Sequence, residues 1–505
     1  DRWTQFAGRS SGGGGLVKAG AGRIELTGDS GAFTGKTSVA QGVLSVNGTL
    51  GGEMAVGSGG RLQGTGTVGS TTVASGGVVA PGNSIGTLQV AGNARFAPGS
   101  TFEAELSGTD AQADRLDVSG HATLDGGTVR VLGGYVLGAR YTLLNAEGGV
   151  SGTFADFSVA KDYLFLSPKL GYTATQVYTE AMRNSVSFAS VAQSGNQRAM
   201  GANLDGAAPW SPALAAALQL ESVPAARTAF DSLSGEVHAS AKTALIEDSR
   251  FVREAAMERL RASAGTAGAS TAPVKINDGT GQSHMAAPTT GETVFWSQAL
   301  HSTGRARGDG NAARLDRSVD GLLMGGDTRV GDNVRLGVAG GYSRSKVDVD
   351  ARSSSGDATS YHLGLYGGTT LGPWALRAGA AYARHDVDTT RQARVAGLAD
   401  SLKSNHDAST TQVFGEVGYS LAAGDVALEP FANLAHVTLH TDAFSERGTW
   451  AALQARSGSA NVGLSTLGLR ASTALRLGSV DATLKGMVGW RRAYGDLAPF
   501  TSAAK

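Results

Sequence analysis

From Val294 onward the side chains alternate, with apolar bulk on one parity and charge on the other. In Val334-Arg335-Leu336-Gly337-Val338-Ala339 the large apolar residues share one parity and Arg335 takes the other. Trp374, Leu376, Ala378, Ala380 and Tyr382 share a parity against Arg377, and Ala482, Leu484, Val488 and Trp490 share one against Lys485 and Arg491. Successive side chains of a strand point to opposite faces, so the pattern demands a sheet with one oily and one ionic face. A soluble sandwich also alternates, but with shorter strands and its charge outside. Here the stretches run about ten residues, and Tyr342, Tyr361, Trp374, Tyr382, Tyr419 and Trp490 fall near their ends, as interfacial aromatics do in outer-membrane barrels. Nine strands are expected, near 294–303, 315–329, 333–349, 357–371, 374–390, 410–422, 425–442, 461–477 and 480–492. Single-chain bacterial barrels close with an even number, and an open edge in hydrocarbon costs several kcal/mol per unpaired group. Nine strands therefore imply an incomplete wall, with Lys505 as a truncation point.

The rest of the composition fits a turn-rich β chain. Glycine supplies 74 of 505 residues while charged residues make up only 17%, below the usual quarter or so. Forty-three basic residues balance forty-three acidic ones, which removes the electrostatic drive for nucleic-acid binding. The absence of cysteine excludes thiolate metal sites, disulfides and thiol nucleophiles. No stretch approaches the ~18 consecutive apolar residues of a membrane-spanning helix. The opening at Asp1, without a methionine or an apolar leader, is expected of a mature form or a fragment.

Between about Leu16 and Gly152, short β-type runs alternate with glycine pairs. Arg61-Leu62-Gln63-Gly64-Thr65, Val78-Val79-Ala80-Pro81-Gly82 and Arg95-Phe96-Ala97-Pro98-Gly99 recur at an offset of 17 residues, and Val56-Gly57-Ser58-Gly59-Gly60 maps onto Val73-Ala74-Ser75-Gly76-Gly77 at the same offset. A short fixed period of strand and turn predicts stacked coils, a parallel β-solenoid. Its interior would hold Val43, Leu44, Val46, Leu50, Val56, Leu62, Val68, Val73, Val79, Ile85, Leu88 and Val90. An antiparallel sandwich with turns every 8–12 residues is the competing reading. From Arg183 to Ala262 the period changes: Phe230, Leu233, Val237, Ala241, Leu245 and Val252 follow helical steps, and Ser222 before Pro224 marks a helix start. The run Glu247 to Arg261 is densely charged and requires water or a polar cavity. A Gly/Ala/Ser/Thr tract to Gly291 reads as a flexible linker.

This order resembles the bacterial autotransporters of type V secretion. Ala80-Pro81-Gly82-Asn83-Ser84-Ile85-Gly86-Thr87-Leu88 is similar to a repeat of autotransporter passengers, and Leu233-Ser234-Gly235-Glu236-Val237-His238-Ala239-Ser240 to the segment ahead of the pore helix. Leu336-Gly337-Val338-Ala339-Gly340-Gly341-Tyr342-Ser343, Glu429-Pro430-Phe431-Ala432-Asn433-Leu434-Ala435 and Ser465-Thr466-Leu467-Gly468-Leu469-Arg470 resemble the family's barrel. The resemblance implies an all-β chain with one helical segment: a right-handed parallel β-helix passenger stalk over 1–182, a helical linker and pore helix over 183–262, a flexible linker over 263–293, and an antiparallel transmembrane barrel over 294–505 carrying about nine of twelve strands. It further implies export of the chain's own passenger, a place in the bacterial outer membrane with the passenger on the cell surface, and dealings with outer-membrane lipid, the barrel-assembly machinery and periplasmic chaperones, but no nucleic acid. A charged helix with Glu247, Arg250, Arg253, Glu254 and Glu258 would then thread a pore lined by Arg335, Arg377, Glu416, Glu429, Arg470 and Lys485, since such charge is costly in lipid and acceptable in a polar lumen.

Other motifs carry less. Gly82-Asn83-Ser84-Ile85-Gly86 fits a nucleophile elbow but lies between solenoid strands, where no helix follows,. Gly64-Thr65-Gly66-Thr67-Val68-Gly69 fits a dinucleotide fingerprint that glycine abundance alone explains, and the Ser158 and Ser343 S-x-x-K matches lack companion motifs,. His436 and His440 sit four apart, about 13 Å on a strand, too far for one ion,. Asp110, Asp114 and Asp117 lack a calcium-loop setting,. No asparagine falls between Lys242 and Leu260, so the self-cleavage that the resemblance offers is not expected. No metal, cofactor or enzymatic activity is expected of this chain. The alternatives are the stalk of a surface protease or esterase whose catalytic part lies before Asp1, and an adhesin.

Overall fold

The computed structural model describes residues 3–277, 282–290, 293–477, 480–497 and 503–504. The chain divides into two compact units, one of Asp1–Ala192 with Leu204–Arg227, the other of Gln193–Asn203 with Thr228–Lys505.

The first unit is a parallel β-helix. Strands stack in two sheets, each strand pairing in parallel with its counterparts one coil before and after. Val78 and Val79 lie beside Arg61 and Leu62, and Val73 beside Val56, both at the expected offset of 17 residues. Arg95 and Phe96, however, lie beside Thr72 and Val73 in the other sheet, while Val78 next pairs with Thr101. The third copy of the apparent repeat is therefore a coincidence of spelling. The coil lengthens at that point, and Thr128 pairs with Thr101 before it and Asp156 after it. The larger cross-section is filled by Phe96, Phe102 and Phe154, whose rings meet at 5.4 to 6.3 Å. Ten of the twelve expected core residues are buried, whereas Val43 and Ile85 are half-buried. Glycine is mandatory where coils touch: at Gly64, with φ +120°, a Cβ would stand 2.1 Å from the Val46 carbonyl oxygen,. The stack ends in an antiparallel hairpin of Leu166–Tyr172 and Gln176–Arg183. Ser222 starts a helix as expected, its hydroxyl accepting from the Ala225 N–H at 3.4 Å.

The second unit is an antiparallel meander around two helices. Helix α1 (Glu236–Asp248) and helix α2 (Arg250–Ala264) meet at a one-residue break, Ser249, which keeps helical φ −54° and ψ −23°, so the charged run is helical as expected. The Ser249 carbonyl accepts from the Gln412 side chain at 2.8 Å, which holds the break against the sheet. Among the described residues, nine long strands follow in order: β1 (Val294–Ala306), β2 (Leu315–Val330), β3 (Val334–Val349), β4 (Ser354–Leu371), β5 (Trp374–Val395), β6 (Leu398–Tyr419), β7 (Val426–Thr441), β8 (Gly458–Leu477) and β9 (Val480–Gly495). Each pairs with its sequence neighbour. All nine expected strands are present. β6 begins about a dozen residues earlier than its polar composition suggested, because β5 supplies a partner along its whole length. The stretch expected as linker contains a hairpin of Val274–Asn277 and Ser283–Ala286, the first of which extends onto β1. Residues 278–281 and 291–292 of that stretch lie outside the described residues.

Among the described residues, the meander is not closed by pairing of β9 with β1. If the first unit depends on its stacked interior, Leu62→Ala, at a fully buried site, will cost about 2–5 kcal/mol. A denaturant titration followed by protease resistance of residues 1–182 measures it.

Candidate functional site: the inner face of the barrel and its helix

The alternation read in the sequence sorts the strands into two faces. Tyr342, Tyr361, Leu363, Leu365, Trp374, Leu376, Tyr382, Val413, Leu467, Val488 and Trp490 are all exposed, while Arg335 and Arg377 of opposite parity are buried. Tyr419 is half-buried, its ring 4.7 Å from that of Trp374. The oily face is thus outside. Along β5 the outward residues change from Trp374, Leu376, Ala378, Ala380 and Tyr382 to Arg384, Asp386 and Asp388; along β3 they change from Val338 and Tyr342 to Arg344, Lys346 and Asp348. Tyr342 and Tyr361 are paired across strands, with ring centroids 5.6 Å apart. These tyrosines were expected near strand ends and stand mid-strand. The strands continue past the apolar band, which needs only about 9–11 residues each, whereas β5 and β6 have 22.

The helices lie on the concave face. Val252, Ala255, Ala256, Met257 and Leu260 pack on Leu300, Leu323, Ala339, Tyr366, Ala381, Phe414 and Ala435, which come from seven strands. Beside this apolar seam are two buried ionic clusters. In the first, Arg377 donates to Glu416 at 2.8 Å and to Glu429 at 3.1 Å, and Arg470 donates to both at 2.7 Å. Arg377 faces Glu416 across β5 and β6, and Glu429 faces Arg470 across β7 and β8. Arg261 of α2 approaches Glu416 at 3.6 Å, and Phe431 carries the Arg470 guanidinium 3.6 Å above its ring. In the second, Arg259 of α2 forms a bidentate pair with Asp327 at 2.7 and 3.0 Å. Arg335 also reaches Asp327, and the Tyr366 hydroxyl donates to it at 3.0 Å. Fully dehydrated charges are tolerated only when paired and further hydrogen-bonded, and these are.

Four of the six wall candidates thus meet in one cluster, and Arg335 sits in the other. Lys485 is exposed on β9, its ammonium donating to the Ala269 carbonyl. Of the helix candidates, Arg253 is buried and donates to Gln412 at 2.7 Å. Glu258 accepts from the Ser270 N–H and pairs with Arg261 at 2.8 Å, Glu247 meets Arg317 at 2.9 Å, Arg250 lies over the Phe251 ring, and Glu254 is exposed. Arg259, Asp327 and Tyr366 were missed, although Asp327 and Tyr366 stand on the inward parity of their strands. Ser84 is exposed in the turn after Val78–Pro81. Asp114, in the first unit, turns inward and accepts from the Gly86 and Glu105 N–H groups at 2.9 and 2.8 Å. Burial pushes its carboxyl up to about 6. Among the described residues, no three His, Asp or Glu side chains gather in a metal-binding arrangement.

Strands that present grease outward and paired ions inward define a membrane β-barrel. Residues 295–504 match the family model described as Autotransporter beta-domain, and this part of the chain is an autotransporter β-domain of the bacterial outer membrane. Two proteins of Serratia marcescens named Extracellular serine protease are 33% and 32% identical to it over 96% of this chain. The chain spans about half the length of each, 50% and 49%. The Adhesin BmaC autotransporter of Brucella suis is 53% identical over 53 residues, 10% of this chain and 2% of its own. Among solved structures, the translocator domain of autotransporter NalP from Neisseria meningitidis aligns over 52% of this chain and 84% of its own, at 17% identity and a TM-score of 0.38. The expectation that this chain is not an enzyme is corrected: the two relatives that align over 96% of it are named Extracellular serine protease.

Removing Glu429 from the first ionic cluster leaves two buried guanidinium groups, Arg377 and Arg470, to share the single charge of Glu416. Glu429→Ala is expected to destabilise the barrel by about 3–5 kcal/mol, against no measurable loss for Arg384→Ala in the exposed Arg384–Asp407 pair,. Loss of heat-modifiable migration on gels as urea rises reports both.

Proposed function

We propose that this chain exports and anchors its own N-terminal passenger: the barrel sits in the outer membrane, the α1–α2 helices occupy its lumen, and the β-helix is the exported stalk. The ionic inner face around a charged helix carries the reading. It gives a polypeptide a polar path through a wall that is apolar only toward lipid. Arg335, Arg377, Glu416, Glu429 and Arg470 line that path, and Arg253, Arg259 and Arg261 are the helix groups that meet it. Barrel-assembly machinery and periplasmic chaperones are the partners such a barrel requires on its way to the membrane. The longest connections, 307–314 and 442–457, share one end of the meander, which is the outward end in barrels of this kind; α1 begins there. Stacked coils gain stability one at a time, so folding outside the cell biases export. Coil-breaking Val79→Asp at a fully buried site should lower the rate at which the passenger becomes accessible to external protease, with the barrel itself still heat-modifiable. An unchanged rate would remove the folding bias from the mechanism.

The names of the Serratia relatives favour a serine protease as the activity of the longer protein. Peptide hydrolysis sensitive to a sulfonyl fluoride, measured on the full-length precursor and on residues 1–505, tests this. Activity confined to the precursor is the expected result; activity in residues 1–505 would place the nucleophile within this sequence, and none in either would remove the protease reading.

A further inference from the structure

The connection between β7 and β8 does not stand free. It forms a small hairpin, Phe444–Ser445 against Gln454–Ala455, and leans across the upper edge of β6. β7 pairs with β6 only from Ala408, and the edge left above is taken by Arg447, which exchanges both backbone hydrogen bonds with Lys403 at 3.0 and 2.7 Å. Asp400, itself buried, accepts the N–H groups of Thr449, Trp450 and Ala451 at 2.7 to 2.9 Å. The inner side of the hairpin is buried against the start of α1. Leu453 lies against Gly235, whose φ of +65° favours glycine, and Phe444 stacks at 4.1 Å on His406 and lies 4.7 Å from His238.

At the centre is Glu446, 7% exposed. Arg391 of β5 grips it with two bonds of 2.7 and 2.6 Å, the Leu453 N–H donates to it, and His238 of α1 meets it at 2.8 Å through Nε2. Since His238 Nδ1 is buried without a hydrogen-bond partner among the described residues, Nε2 carries the proton and donates. Arg391 also donates to the Ser232 carbonyl just before α1. One carboxylate therefore ties a surface loop, the barrel wall and the first turn of the lumen helix together, a linkage that neither ionic cluster of the inner face shares.

We propose that residues 442–457 are a latch: with Glu446 seated between Arg391 and His238, the loop clamps the entry of the helix and closes the outer mouth of the barrel. The latch rests on the translocator reading for its purpose and on its own geometry for its closure, and the two are tested separately. In the parent protein in outer-membrane vesicles, the Thr449, Trp450, Ala451 and Leu453 amides should exchange slowly with deuterium; rapid exchange overturns the latch without any substitution. Glu446→Gln and, at a second anchor, Asp400→Asn should each leave the barrel heat-modifiable. Each should raise the trypsin cleavage rate after Arg447 by about tenfold or more, the scale of losing charge-assisted bonds, and raise ion conductance across planar bilayers. Either variant that stays folded with parental cleavage and conductance overturns the proposal. Passenger display on the cell surface is scored alongside: failure of display with a releasable loop refutes the translocator reading and leaves the latch standing.

Discussion

Hydrocarbon offers a peptide group no partner, and that one constraint organises the second unit. Every N–H and C=O at membrane depth has to be paired within the protein, which leaves a meander of neighbouring antiparallel strands as the way for this helix-poor sequence to cross. Once the strands pair, the pleat assigns each side chain to lipid or to the interior. Leu363, Val413 and Tyr382 then face out, and Arg335, Arg377, Glu416, Glu429 and His362 are driven inward.

Charge so enclosed cannot be left alone, and the interior answers it with reciprocal pairs. Arg377, Glu416, Glu429 and Arg470 come from four different strands yet meet because register places two of the pairs directly opposite each other. The helix joins in through Arg259 and Arg261 while covering an apolar seam with Val252, Ala256 and Leu260. Such an arrangement gives little net stability over a greasy core of equal volume. Under the proposed function it supplies a path in which a charged polypeptide exchanges one set of partners for another.

The second unit was largely legible because a two-residue period survives any local detail. Strand number, the inward arginines and the outward tryptophans all followed from parity. Strand ends were less so: β6 above Thr410 is polar on both faces, and no hydropathy pattern marks a strand standing in water. The β-helix was legible as a class, but its register was not. A 17-residue spacing held while coils were uniform and misled at Arg95, where the coil widens and glycine turns recur by composition alone. Asp327 in one cluster and Arg391 with Glu446 in another were invisible, since partners that make them matter lie far off in sequence, Arg259 68 positions from Asp327 and His238 208 from Glu446.

The outward face of β5 and β6 has a further implication. Above Tyr382 the thirteen residues to Val395 continue as paired strand, which at roughly 3.3 Å per residue and a tilt near 45° makes a parapet about 30 Å high above the lipid surface. Under the proposed function, anything leaving the lumen is therefore released at the rim of a turret, clear of the lipid surface around it.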